Sequence, residues 1–176
     1  MKKTILTFFF IFLWCVLPAW AVELKVGDKA PDFSLKDLQG KVYTLDSDEL
    51  KGRVVSIFYI DPDKKGLNNH VEYALLKEKG LDRNKTYKDL SIVNMKSTRM
   101  PNFIIKSVIK DKKEKTRAII LIDYDYSIVN LWGMKKQASS VVVLDKERIC
   151  RYVYNGKLPP EEVTKLINVI KGYQVK

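Results

Sequence analysis

The chain has 176 residues, 46% of them hydrophobic and 11% aromatic, which is enough apolar material for one domain with a real core. Intrinsic disorder is thereby excluded for most of its length. The 32 Lys+Arg against 21 Asp+Glu give a formal net charge of +11, a balance that points to anionic partners.

Lys2 and Lys3 precede an apolar run from Ile5 to Leu17, followed by Pro18 and the small-x-small triplet Ala19-Trp20-Ala21. This is the three-part plan of a secretory signal, so residues 1–21 are read as a signal peptide cleaved after Ala21 and residues 22–176 as a single domain. The run falls short of the ~20 apolar residues that span a bilayer, so the cleaved protein is not expected to be integral to the membrane. Cys15 follows the bulky Trp14, where a lipoprotein signal needs a small residue. Export sets aside nucleic acid as a partner. Past the signal there remain one cysteine, Cys150, and one histidine, His70. An internal disulfide and two-thiol redox chemistry are therefore excluded, and neither a cofactor nor a zinc or copper site of the usual His/Cys composition is expected.

In chain order, Phe33–Leu35 and Val42–Leu45 flank the turn Gln39-Gly40 and read as a small hairpin. Val54–Ile60 (VVSIFYI) is β-branched and almost unbroken in apolarity, as suits a strand buried on both faces. Val71, Ala74 and Leu75 follow the polar starters Asn68 and Asn69 at helical spacing, with Gly80 as the stop. Leu90–Val93 is a further strand. Ile105, Val108 and Ile109 repeat the helical spacing after Pro101, and Lys110–Lys115 forms a solvated tail. Ala118–Ile122 is another buried strand, and Val141–Leu144 with Ile149–Tyr154 makes a late antiparallel hairpin around Asp145–Arg148. The last helix starts at Pro160, complements its dipole with Glu161 and Glu162, presents Val163, Leu166, Ile167 and Ile170, and closes at Lys171-Gly172. Strands alternating with helices predict an α/β fold: a mixed, largely parallel sheet with helices on both faces.

The loop Asp61-Pro62-Asp63-Lys64-Lys65-Gly66 stands at the C-terminal end of a central strand, where open α/β sheets present their binding crevice. Asp61 and Asp63, pinned by Pro62 and followed by Asn68, form the candidate ligand or partner loop. Asp61, Asp63, Gly66 and Glu72 also fall at positions 1, 3, 6 and 12 of an EF-hand-type calcium loop, but Lys65 occupies position 5 and a strand leads in where a helix belongs. Cys150 reads as a small buried side chain on a strand; its functional alternative is a reactive thiol aided by Arg148 and Arg151. His70, Ser139 and Ser140 lack a nucleophile elbow. The basic segment around Lys106, Lys110, Lys112 and Lys113 contains Asp111 and Glu114 and reads as a solvated helix end. The excess charge predicts weak, salt-sensitive attraction to anionic surfaces.

Val26-Gly27-Asp28-Lys29-Ala30-Pro31-Asp32-Phe33-Ser34-Leu35, then Gly40-Lys41, Val54–Tyr59 and Ser139–Lys146, resemble the redoxin and peroxiredoxin type of thioredoxin-like protein. In those families the redox cysteines follow the central strand. Here the matching positions fall near Asp63 and Gly66, and Ser139 or Ala138 stands where redoxins carry a cis-proline. Thiol exchange and peroxide reduction need a thiolate at that place, and no carboxylate replaces it. Tyr59-Ile60-Asp61-Pro62-Asp63 with Asn68, Ile92-Val93-Asn94, Pro101-Asn102-Phe103, Leu131-Trp132-Gly133 and Ser140–Lys146 are similar to the YtfJ family of exported bacterial proteins. That resemblance implies a thioredoxin-like fold, a periplasmic location, no redox cysteine pair and no established activity. The expectation is a redox-inactive protein that binds an unidentified periplasmic protein or small ligand through Asp61, Pro62, Asp63, Asn68 and Ser139. Two alternatives stand beside it: a thiol-dependent enzyme in which Cys150 reaches the crevice and uses an external reductant, and a calcium module built on Asp61, Asp63 and Glu72.

Overall fold

The computed structural model describes residues 23–175 apart from 117. Residues 1–21, read from the sequence as a cleaved signal peptide, lie outside the described residues. Seven strands form one sheet in the order β2-β1-β5-β4-β3-β6-β7, with β1 Leu35–Asp37, β2 Val42–Tyr43, β3 Val54–Ile60, β4 Tyr87–Asn94, β5 Ile119–Asp123, β6 Ser140–Leu144 and β7 Cys150–Asn155. Among the described residues four α-helices complete the fold: α1 Asn69–Lys77, α2 Asn102–Thr116, α3 Ser127–Trp132 and α4 Pro160–Gln174.

The sheet is mixed. Its parallel pairings join β3, β4 and β5, whereas β1 pairs antiparallel with β2 and β5, and β6 with β3 and β7. Crossovers β3-α1-β4 and β4-α2-β5 advance in the same direction, which sets α1 and α2 side by side over one face. α4 lies on that face too. Val54 and Phe58 of β3 pack there with Val71 and Leu75 of α1 and Leu166 and Ile170 of α4. α2 covers a separate patch, seating Ile105 and Ile109 on Val93, Ile120 and Ile122.

On the opposite face Val55, Ile57 and Tyr59 pack with Ile92, Leu121, Ile128 and the fully buried Trp132. Trp132 donates its indole N–H to the Pro31 carbonyl (2.9 Å) and meets Phe33 edge-on, which ties α3 to the N-terminal segment. β3 therefore buries both faces, as its unbroken apolarity requires.

Two boundary shifts and one added helix stand out against the sequence reading. The first hairpin strand is Leu35–Asp37 rather than Phe33–Leu35, because the Asp37 carboxylate accepts the N–H groups of Gln39 (2.9 Å) and Lys41 (3.0 Å) and fixes the turn there. α1 ends at Lys77, before Gly80: Glu78 leaves the helix, accepts the Gly80 N–H (3.0 Å) and pairs with Lys171 of α4 (3.0 Å). α3 has no counterpart in the sequence reading.

The turn between β6 and β7 is locked by Asp145, which accepts the N–H groups of Glu147 and Ile149, both at 2.9 Å, and by Arg148, held at φ 68°. The buried Arg148 guanidinium donates to the carbonyls of Leu45 (2.6 Å), Leu50 (2.8 Å) and Arg53 (3.0 Å), clamping the N-terminal segment to the sheet.

Candidate functional site

Asp61 leaves β3 at the C-terminal edge of the parallel strands and is only 2% exposed. Its carboxylate accepts the Asp63 N–H (3.0 Å), starting a 3₁₀ turn over Pro62–Lys64, and its own N–H donates to the Ser139 hydroxyl (3.3 Å). Asp61, Pro62 and Ser139 are thus brought together and buried. Asp63 faces solvent and accepts a hydrogen bond from the Thr98 hydroxyl. Asn68 is occupied elsewhere: its amide donates to the Gly156 carbonyl (2.9 Å) and accepts the Leu158 N–H (3.0 Å), fixing the loop into α4. His70 lies beside it, with Nε2 2.9 Å from the Leu158 carbonyl. The two carboxylates of the loop therefore do not converge on a common point. One shapes the turn and the other is presented outward.

The calcium reading is not assembled. Glu72 turns away from Asp61 and Asp63 and receives the Lys112 ammonium on both oxygens (2.8 and 2.7 Å), and among the described residues no group of three His, Cys, Asp or Glu side chains could hold a metal ion. Nor does Cys150 reach the crevice. It pairs with Leu144, which pairs with Val55 at the far end of β3, about 20 Å along the strand from Asp61. It is fully buried, and burial pushes its thiol up to about 11.

What the loop does open into is a groove of about 730 Å³ between α1 and α2. Pro62, Lys65 and Gly66 stand at its mouth, Ile60, Ser91, Val93 and Ile120 form its floor, and Tyr73 and Leu76 of α1 face Ile105 and Val108 of α2. The Glu72–Lys112 ion pair bridges the two helices within it. Gly66 holds φ 88°, a conformation glycine adopts without strain, and a Cβ there would sit 3.3 Å from the Asn69 side chain. The groove exists because the two helices cover separate core patches and do not close over β4. Tyr73, Leu76 and Val108 are consequently 59%, 51% and 43% exposed. The helix periodicity grouped Val108 with Ile105 and Ile109 as one core stripe; the last two are buried, and Val108 is groove wall.

Behind the loop lies a buried polar hub that the sequence reading missed. Asp123, at the end of β5 and fully buried, accepts the Tyr59 hydroxyl (3.1 Å) and the N–H groups of Asp125 (3.1 Å), Ser127 (2.8 Å) and Ile128 (3.0 Å). It caps α3 from the preceding strand, while Tyr126 turns into it at φ 58°. Burial, with the Asp123 carboxylate beside it, raises the Tyr59 hydroxyl far above the ordinary tyrosine range.

The chain matches the family model described as "Bacterial protein of unknown function (YtfJ_HI0045)" over residues 19–173. An uncharacterized protein of Haemophilus influenzae is 27% identical over 70 residues, which are 40% of this chain and 38% of that protein. Among solved structures, a protein provisionally described as the thiol:disulfide interchange protein DsbE from Chlorobium tepidum superposes with a TM-score of 0.62 at 20% identity, covering 86% of this chain and 99% of that one. A peroxiredoxin-like protein of Aquifex aeolicus gives 0.59 at 17% identity (86% and 91% covered), and the exposed lipoprotein thioredoxin Etrx1 of Streptococcus pneumoniae 0.56 at 18% (78% and 98%). At these identities the likeness establishes the thioredoxin-like fold. Among the described residues no helix is long and apolar enough to cross a membrane.

Proposed function

Since this chain belongs to the YtfJ_HI0045 family of bacterial proteins of unknown function, we propose that it is an exported, periplasmic thioredoxin-like protein that performs no thiol chemistry and binds a partner protein or small ligand at the C-terminal end of its central strands. The observation that carries this reading is a separation. The thiol of Cys150 is buried at one end of the sheet, while the groove of about 730 Å³ that meets the β3 loop opens at the other, lined by residues none of which is a cysteine. Disulfide exchange and peroxide reduction both begin with a thiolate attacking at an accessible point, and neither condition is met at that end.

The five loop residues then divide their work. Asp63 offers the exposed carboxylate and Pro62 forms the lip of the groove, whereas Asp61, Ser139 and Asn68 hold the loop in shape. Export through residues 1–21 supplies the periplasmic location.

The experiment is a pair of activity assays on the purified exported protein and its Cys150→Ser variant: reduction of insulin disulfides with dithiothreitol, and peroxide consumption with a thioredoxin reductant. Both proteins are expected to stay at the uncatalysed rate. Turnover by the wild type that vanishes in Cys150→Ser would overturn the proposal.

A further inference from the structure

We infer that the α1–α2 groove takes the apolar chain of a free single-chain anionic amphiphile of the fatty-acid class, with its headgroup at the basic rim beside Lys65. The inference rests on the binding reading above and names the ligand class of that same site.

Two independent observations carry it. First, the groove offers an apolar chain a mainly apolar slot: Ile60, Val93, Leu76, Ile105 and Val108 line it, with the Glu72–Lys112 pair and Asp111 as its charged members besides Lys65, and its volume of about 730 Å³ lies within the range of small-molecule sites. Leu76 and Val108 face each other half-exposed across the gap, so a chain laid between them removes apolar surface that the fold leaves in water. Second, charge is distributed unevenly along the sheet axis. The loops at the groove-mouth end of the sheet carry exposed Lys64 and Lys65 after β3, Lys96 and Arg99 after β4, and Lys135 and Lys136 before β6, against the exposed Asp63 and Asp125; of these Lys65 lines the groove itself. The other two acids there, Asp61 and Asp123, are buried and hold internal hydrogen bonds. At the opposite end the β2–β3 loop sets Asp46, Asp48 and Glu49 against Lys51 and Arg53, and the β6–β7 turn sets Asp145 and Glu147 against Lys146 and Arg148, so neither carries an excess of positive charge. Lys65 lines the groove mouth and makes no ion pair among the described residues.

A basic rim above a mainly apolar slot selects a molecule with one anionic end and one apolar end. A neutral hydrocarbon would gain nothing from the rim. A compact anion such as phosphate would leave the slot empty.

The test is titration of the exported protein with the fluorescent C18 polyene cis-parinaric acid, followed by displacement with hexadecanoic acid and with hexadecan-1-ol. The account expects saturable binding at about micromolar Kd, with the acid displacing the probe about tenfold better than the alcohol. Leu76→Glu, which places a charge in the slot, is expected to weaken binding by about tenfold or more, and Lys65→Gln by about threefold, with the difference fading in high salt. Lys51→Gln, at the opposite end, is the control and should leave Kd unchanged. Leu76 and Lys65 are exposed, so both variants should fold; unchanged Trp132 emission checks this.

Absence of saturable binding, equal affinity for acid and alcohol, or an unaltered Kd in Leu76→Glu would each overturn the inference. So would adsorption to phosphatidylglycerol vesicles that Leu76→Glu leaves intact while the free acid fails to bind, since charge alone would then account for the rim. If the amphiphile fails but both activity assays stay blank, the ligand class falls and the non-thiol reading stands. If turnover through Cys150 appears, that reading itself has failed.

Discussion

Replacing Asp123 by alanine probes how the crevice end of the sheet is held in shape. The carboxylate serves four donors, and two of them, the Tyr59 hydroxyl and the Ile128 N–H, are buried where water cannot take over. Leaving a buried donor unsatisfied costs roughly 1–3 kcal/mol. The Asp125 and Ser127 amides lie on exposed residues and rehydrate, but α3 loses its cap, worth about 1 kcal/mol. Removing the carboxylate also relieves its own desolvation, which offsets part of the sum. The net expectation is a loss of about 3–4 kcal/mol, a large share of the 5–15 kcal/mol typical of a domain. Urea unfolding read by Trp132 emission measures it directly, because Trp132 ends the helix that Asp123 caps. Tyr59→Phe alone should cost about 1 kcal/mol, and nothing or less in the Asp123→Ala background, where its hydroxyl has already lost its acceptor. An Asp123→Ala penalty under about 1 kcal/mol, or a Tyr59→Phe cost identical in both backgrounds, would refute the hub.

Cys150 should resist iodoacetamide in the folded protein at pH 8 and react once denaturant is added; its raised thiol pKa also means that stability falls as pH climbs from about 9 towards 11, because only the unfolded chain ionises there, and Cys150→Ala should flatten that limb of a pH-dependent unfolding series. Arg148→Met strips three buried carbonyls of their donor and should lower stability by about 3 kcal/mol in thermal melts, with Arg148→Lys recovering only part because one ammonium cannot span all three. For Asp37, burial opposes ionisation, but the Lys113 ammonium and the amides of Lys41 and Gln39 outweigh it and hold the carboxyl below its ordinary value. Its stabilisation is therefore present above about pH 4 and lost as pH falls through the lowered value; unfolding curves from pH 6 to 3 should show an acid limb that is shallower in Asp37→Asn.

The parts of the fold legible in the sequence are those whose burial is written locally. VVSIFYI and SVVVL announce strands covered on both sides, and α4 carries a proline start, an acidic first turn and a continuous stripe. α3 escaped because it has only six residues and its cap comes from Asp123 on the preceding strand, a tertiary contact with no signature inside the helix. The candidate site divides along the same line. That the β3 loop would stand at the crevice followed from its place after a central strand, and Asp61 with Ser139 did come together. Asn68 hydrogen-bonds to the β7–α4 loop, which offers both a donor and an acceptor to its amide, a pairing that its place in the sequence gives no sign of. The groove was invisible because it depends on the gap between two helices. A clue was present in α2, where Phe103, Ile104 and Val108 add apolar surface beyond the Ile105 and Ile109 stripe that the sheet needs.

The most direct test of the central claim places a photo-crosslinking amino acid at Lys65, at the groove mouth, and separately at Lys51, at the far end of the sheet, in the full-length chain expressed in intact bacterial cells. The account predicts a specific adduct from position 65 that is absent from position 51, resists dithiothreitol and forms equally in a Cys150→Ser background. An adduct that needs Cys150, or that arises from position 51 and not from position 65, would contradict it.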